Sequence, residues 1–156
     1  MANNASDYTE LAVFKHLFSN NGSSVQSGFP PTSDNIWVSL HTSTGPTEDG
    51  VIGTSNEVST SGSTAYARSN AGDALTWTVS QTDVANAVTT AVNDQAIAFV
   101  QAGANYSADV TFIGIYDAET VGTGNLLFYG ALSVNKTVTT GDTFQINAGA
   151  LVITLE

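Results

Sequence analysis

The sequence predicts an all-β protein, a single β-sandwich or jelly-roll-like domain over residues 1–156 with one short N-terminal helix. Ser, Thr and Asn fill the polar positions, and charged residues make up only 11% of the chain. Short polar side chains suit the solvent-facing side of a sheet, whereas helix surfaces favour Lys, Glu, Gln and Arg. Apolar residues also alternate with polar ones in short runs, which is the period of a β-strand. Gly, Asn and Asp interrupt these runs at the spacing expected of a sandwich.

One segment, residues 7–18, has helical periodicity instead. Asp7 has a glutamate three positions later, which is the spacing of an N-terminal capping pair. Leu11, Phe14 and Phe18 then recur at helical intervals and form an apolar stripe. Such a helix either plugs one end of the sandwich or presents its Phe stripe to a partner subunit.

The strands are predicted to begin at residue 35, after two consecutive prolines that favour an extended backbone. In the first strand Val38 and Leu40 face one way, and Ser39 and His41 face the other. The predicted strands cover residues 35–42, 65–69, 75–80, 87–92, 96–101, 109–116, 126–132, 137–139, 143–146 and 150–155. Residues 43–64 are rich in Gly, Ser and Thr and contain few large apolar residues, so they are predicted to form an extended loop or arm.

The charge of the chain excludes several classes of function. The formal net charge is −11, and Lys15, Arg68 and Lys136 are the only fixed cations. Binding to nucleic acid or to an anionic membrane requires clustered cations, so neither partner is expected. The first residues lack the basic and apolar regions of a signal peptide, and no apolar stretch is long enough to span a bilayer. We therefore expect the protein to stay where it is made or to leave by cell lysis.

Recognisable catalytic and metal-binding motifs are missing from the sequence. His16 and His41 are the only imidazoles, there is no Cys, and neither His has a carboxylate at metal-ligand spacing. There is no Gly-x-Ser-x-Gly nucleophile motif. A glycosidase needs only two carboxylates, so the fourteen acidic residues do not exclude this class of enzyme. Most of these acids, however, lie in turn sequences, where a solvated turn residue is expected. We predict no enzyme activity, no catalytic residue, no metal and no cofactor.

The second half of the chain contains five motifs in a characteristic order. They are GIYDA at 114–118, GNLLFYGAL at 124–132, KTV at 136–138, GDTF at 141–144 and AGALVITL at 148–155. Together with the predicted helix, the strand WVSLHT at 37–42 and YAR at 66–68, this order resembles a family of small virion proteins of tailed bacteriophages. Some members are labelled tail-fibre proteins, and similar small β proteins serve as capsid cement or decoration proteins.

The resemblance implies a virion structural protein made in the cytoplasm of the host bacterium. Our primary hypothesis is a cement protein that binds the major capsid protein on the outer shell as a homo-oligomer, most simply a trimer. The alternative is a tail or tail-fibre component that binds other tail proteins and recognises the host surface. A polysaccharide-degrading enzyme is a third and poorer alternative. Copy number per particle separates the first two.

Overall fold

The computed structural model describes residues 36–46, 56–71, 77–81 and 89–155. The helix predicted over residues 7–18 lies outside the described residues, as does His16. No helix in the described part of the chain has the length and apolar character needed to cross a membrane.

The described residues form strands joined by turns and loops, so the prediction of an all-β protein is confirmed. The strands are β1 (Trp37–Thr42), β2 (Ser69–Asn70), β3 (Trp77–Gln81), β4 (Thr89–Asn93), β5 (Ile97–Ala98), β6 (Val110–Tyr116), β7 (Leu126–Lys136), β8 (Gln145–Ile146) and β9 (Val152–Leu155). The stacking of sheets into a single sandwich stays a prediction.

The separate strand predicted over residues 137–139 is wrong. β7 extends to Lys136, and the chain then turns. The Asp142 carboxylate accepts hydrogen bonds from the backbone N–H and the hydroxyl of Thr139, at 2.8 and 2.7 Å. Because a turn closed by its own side chain competes with strand pairing, the β-branched residues here do not form a ladder.

The chain divides into two compact units. The β1 unit contains the described residues 36–46, 56–71 and 97–145, and its main sheet has the antiparallel order β2-β1-β6-β7. Val38 and Leu40 of β1 lie opposite Ile115 and Ile113 of β6, and all four side chains are buried. The alternation predicted for the first strand therefore supplies the apolar face of this sheet.

The segment predicted as an arm is described at residues 43–46 and 56–64. Glu57 forms a β-bridge with His41, and the Val58 N–H donates to the carbonyl oxygen of Leu40 at 2.9 Å. Val58 and Thr64 are both buried. Residues 56–58 thus pair with β1 through their backbone groups, whereas residues 59–63 are exposed.

The β4 unit contains the described residues 77–81, 89–96 and 146–155, and its sheet has the antiparallel order β3-β4-β9. Asn93, at the end of β4, is fully buried. Its amide nitrogen donates to the carbonyl oxygens of Gln95 and Asn147, and its amide oxygen accepts the Leu151 N–H at 2.9 Å. A single buried side chain therefore fixes the turn that leads into β9.

Candidate functional site

A pair of polar side chains lies inside the β1 unit, on the face of β1 opposite Val38 and Leu40. Ser39 Oγ and His41 Nε2 lie 2.7 Å apart, and both residues are 0% exposed. They meet because residues two apart on a strand point to the same face. The opposing position on β6 is Gly114, where a β-carbon would lie 2.7 Å from each of these two atoms. Glycine at this position leaves the space that the pair occupies.

Tyr116 lies between this pair and the side chain of Arg68. The rings of His41 and Tyr116 stack with centroids 6.0 Å apart and an interplanar angle of 19°. The guanidinium carbon of Arg68 lies 3.8 Å from the centroid of the same Tyr116 ring. This is a cation–π contact, which is stronger when it is shielded from water.

Arg68 is held by a two-point ion pair with Glu57. Its Nε donates to one carboxylate oxygen and a terminal nitrogen donates to the other, each at 2.7 Å. The exposed fractions of the two side chains are 0% and 5%. The remaining terminal nitrogen donates to the carbonyl oxygens of Ala118 at 2.7 Å and Thr123 at 2.9 Å. Arg68 therefore braces the loop between β6 and β7.

The hydroxyl of Tyr66 closes the network on the other side of Glu57. It donates to a Glu57 carboxylate oxygen at 3.1 Å and accepts the Leu40 N–H at 2.9 Å. Burial, and next the negative charge of Glu57, raise the pKa of Tyr66 well above its usual value. The phenol is therefore held neutral, and it links the 56–71 segment to β1 through the hydrogen bond from the Leu40 N–H.

The chemistry of this network is structural. A serine and a histidine at hydrogen-bond distance are two members of a hydrolase triad, but a nucleophile must be reachable by its substrate. Ser39 and His41 are completely buried, and the Glu57 carboxylate is engaged by Arg68 and Tyr66. Within the described residues, no group of three or more potential metal ligands is present. The network holds β1, the 56–71 segment and the β6–β7 loop together.

Sequence reasoning located His41 on its strand but did not identify Arg68 as the centre of a network. One signal was available, the alternation of small and large residues in Ala65-Tyr66-Ala67-Arg68; in the structure the small residues are exposed and the large ones are buried. A polar residue that continues an alternating buried pattern is expected to have a buried partner. The partners themselves are separated from Arg68 by eleven to fifty-five positions, so the pattern could not name them.

The surface of the β1 unit has an open groove of about 290 Å³, lined by Lys136, Thr137, Val138, Asp142, Thr143, Phe144 and Gln145. Lys136 is the only exposed fixed cation among the described residues. Large apolar side chains are exposed elsewhere, at Val100, Tyr129, Val134 and Val152. The groove and these exposed apolar side chains are surfaces that the described part of the chain offers for contact.

These features define a β-sheet protein in which a buried ion pair braces one loop. The family model described as podophage GP4 fiber I protein gp80 matches residues 4–154. The chain belongs to this family, and it is a structural protein of a bacteriophage virion. The resemblance to small virion proteins of tailed phages is confirmed. No curated protein matches the chain.

Proposed function

We propose that this protein is a structural subunit of the tail-fibre apparatus of a podophage. The observation that carries the proposal is the match of the fiber I family model to residues 4–154. The protein works as a homo-oligomer, for which a trimer is the expected state, and its partners are other tail proteins.

The protein acts by assembly rather than by catalysis. Its buried Ser–His pair serves the fold, and its net charge of −11 opposes binding to nucleic acid and to anionic membranes. Incubation of the purified protein with host envelope polysaccharide is expected to release no reducing ends. Enzymatic release that disappears in a heat-denatured control would contradict this part of the proposal.

The competing proposal is a capsid cement protein bound to the major capsid protein on the outer shell. Both proposals place the protein in the virion, and its position and copy number separate them. Antibodies raised against the purified protein are applied to intact particles in immuno-electron microscopy, with antibody pre-absorbed on the protein as the control. Quantitative mass spectrometry then gives its ratio to the major capsid protein.

The tail-fibre proposal predicts label at the tail and a copy number far below that of the major capsid protein. Label spread over the shell, at a copy number comparable with that of the major capsid protein, would contradict it. That outcome would instead support the cement hypothesis. Comparison with particles assembled without this protein would then measure how much the shell is stabilised.

A further inference from the structure

The groove in the β1 unit has a backbone that is largely paired within the chain. It is lined by the end of β7, the start of β8 and residues between them. The carbonyl oxygens of Val138, Asp142 and Phe144 accept backbone N–H groups of the 99–106 segment, at 3.0, 2.8 and 3.0 Å. An added peptide strand would need free backbone groups to pair with. The groove therefore favours a ligand that is recognised through side chains.

The apolar part of the groove is held rigidly from below. Val138 is buried, and Phe144 is half-buried. The Phe144 ring meets the Phe99 ring edge to face with centroids 5.7 Å apart, and Phe99 stacks in turn on Tyr66. Because its aromatic neighbours fix the orientation of Phe144, a ligand can pack on this side chain with little loss of conformational entropy.

The polar side chains of the groove include both a donor and an acceptor that the chain does not use. Lys136 and the hydroxyl of Thr143 have no hydrogen-bond or ion-pair partner among the described residues. Asp142 accepts the hydroxyl and the N–H of Thr139 through Oδ2, which leaves Oδ1 available to a ligand. The hydroxyl of Thr139, and next its N–H, lower the pKa of Asp142, so this carboxylate stays ionised at neutral pH.

The charges of the groove select against an ionic ligand. Lys136 and Asp142 are the only charged side chains that line it, and their charges cancel. An anion would meet Asp142 and a chain of net charge −11, and a cation would meet Lys136. The groove therefore suits a neutral ligand that both donates and accepts hydrogen bonds and has an apolar side. A sugar ring meets this description, because its hydroxyls do both and its C–H groups form apolar patches.

We propose that this groove binds one ring of a neutral saccharide, with C–H groups on Phe144 and hydroxyls on Lys136, Asp142 and Thr143. Its volume of about 290 Å³ lies at the small end of ligand pockets, which suits a ligand of one or two rings. A free sugar and a unit of a polysaccharide present the same ring chemistry, so both forms are tested. The inference goes beyond the proposed structural role and does not depend on it.

The test is an NMR chemical-shift titration of the isotope-labelled full-length protein. The probes are glucose, galactose, mannose, N-acetylglucosamine and disaccharides of these sugars, and a separate arm uses neutral polysaccharide from the host envelope. Glucuronate and glucosamine, the latter below the pKa of its amine, are the charged sugars for comparison. An uncharged tetrapeptide with blocked ends represents the alternative ligand class.

Two variants remove one polar group each from the groove, and each has a matched control. Lys136→Met is compared with Ser133→Asp, which makes the chain more negative by the same amount. Thr143→Val is compared with Thr120→Val, which also removes one exposed hydroxyl. Both control positions are exposed, belong to the same unit and lie outside the groove. Circular dichroism and thermal melting verify that all four variants are folded.

We expect at least one neutral sugar, free or within the polysaccharide, to shift the signals of the groove residues and to bind more tightly than either charged sugar. Each groove variant should lose about threefold or more in affinity, as expected for one lost hydrogen bond, and the controls should bind like the wild type.

The inference is overturned if no neutral sugar shifts these signals at about 50 mM, a concentration well above the Kd of a millimolar site. Shifts confined to other surfaces, tighter binding of a charged sugar, or shifts caused by the peptide alone also overturn it. So do groove variants that bind like the wild type, or controls that lose as much affinity as the groove variants. A protein that binds no sugar but is found at the tail would leave the proposed function in place.

Discussion

Removing the Arg68 side chain tests whether the buried network stabilises the fold. Arg68→Met keeps most of the apolar stem and leaves the Glu57 carboxylate buried without its cation. The carbonyl oxygens of Ala118 and Thr123 lose their donor as well. Breaking one partner of a buried ion pair typically costs about 3–5 kcal/mol, and a domain of this size has about 5–15 kcal/mol of total stability.

The measurement is urea unfolding followed by tryptophan fluorescence and by far-UV circular dichroism. The control is Lys136→Met, which makes the chain more negative by the same amount but removes an exposed cation. We expect the control to change the free energy of unfolding by less than about 0.5 kcal/mol, as surface substitutions usually do. This comparison separates the loss of the network from the general effect of net charge.

A double-mutant cycle with Glu57→Gln completes the test. If the two side chains stabilise each other, the double variant should be destabilised by less than the sum of the single variants, with a coupling of about 1–3 kcal/mol. Arg68→Lys should lie between the wild type and Arg68→Met, because lysine keeps the charge but loses the two-point geometry. The reasoning is refuted if Arg68→Met costs no more than Lys136→Met, or if the two single effects simply add.

Three further predictions concern other parts of the described fold. Gly114→Ala should destabilise the protein by about 1–3 kcal/mol through overpacking, whereas Gly130→Ala, with open space at its β-carbon, should be close to neutral in the same urea assay. Asn93→Ala should lower the free energy of unfolding by about 2–3 kcal/mol, because it leaves buried backbone groups without hydrogen-bond partners. The control is Asn135→Ala at an exposed site. Equal melting temperatures for the two variants would contradict this prediction. Tyr66 has a raised pKa, so the unfolded chain releases the phenol proton at a lower pH than the folded chain does. The free energy of unfolding should therefore fall above about pH 10. Urea unfolding across that pH range should show a shallower fall for Tyr66→Phe than for the wild type.

The sequence predicted strands where alternation was long and unbroken. The predictions for 35–42 and 109–116 nearly coincide with Trp37–Thr42 and Val110–Tyr116. Alternation reports which residues share a face, but not whether a face is covered. Ser39 and His41 were correctly placed opposite Leu40, yet both faces of β1 are buried because the two polar groups bond to each other. Polarity alone therefore could not show that they are buried.

The candidate site was less predictable than the strands because its contacts are long-range. Arg68 reaches Glu57 across eleven positions and the Thr123 carbonyl across fifty-five. Backbone carbonyls carry no sequence signature, since every residue has one. The sequence shows that Arg68 is one of three fixed cations. Its contact with the β6–β7 loop is visible only in the folded structure.

The scarcity of cations also constrains how copies of this chain assemble. Of the three fixed cations, Arg68 is enclosed by Glu57, Tyr116 and the β6–β7 loop and is not available to a second copy. With −11 net charges on each copy, salt bridges between copies cannot balance the acids that surround them. We therefore expect any contact between copies to depend on uncharged surface, where burial of apolar area does not depend on charge. We expect such a contact to strengthen as salt is added, because salt screens the repulsion between acidic copies.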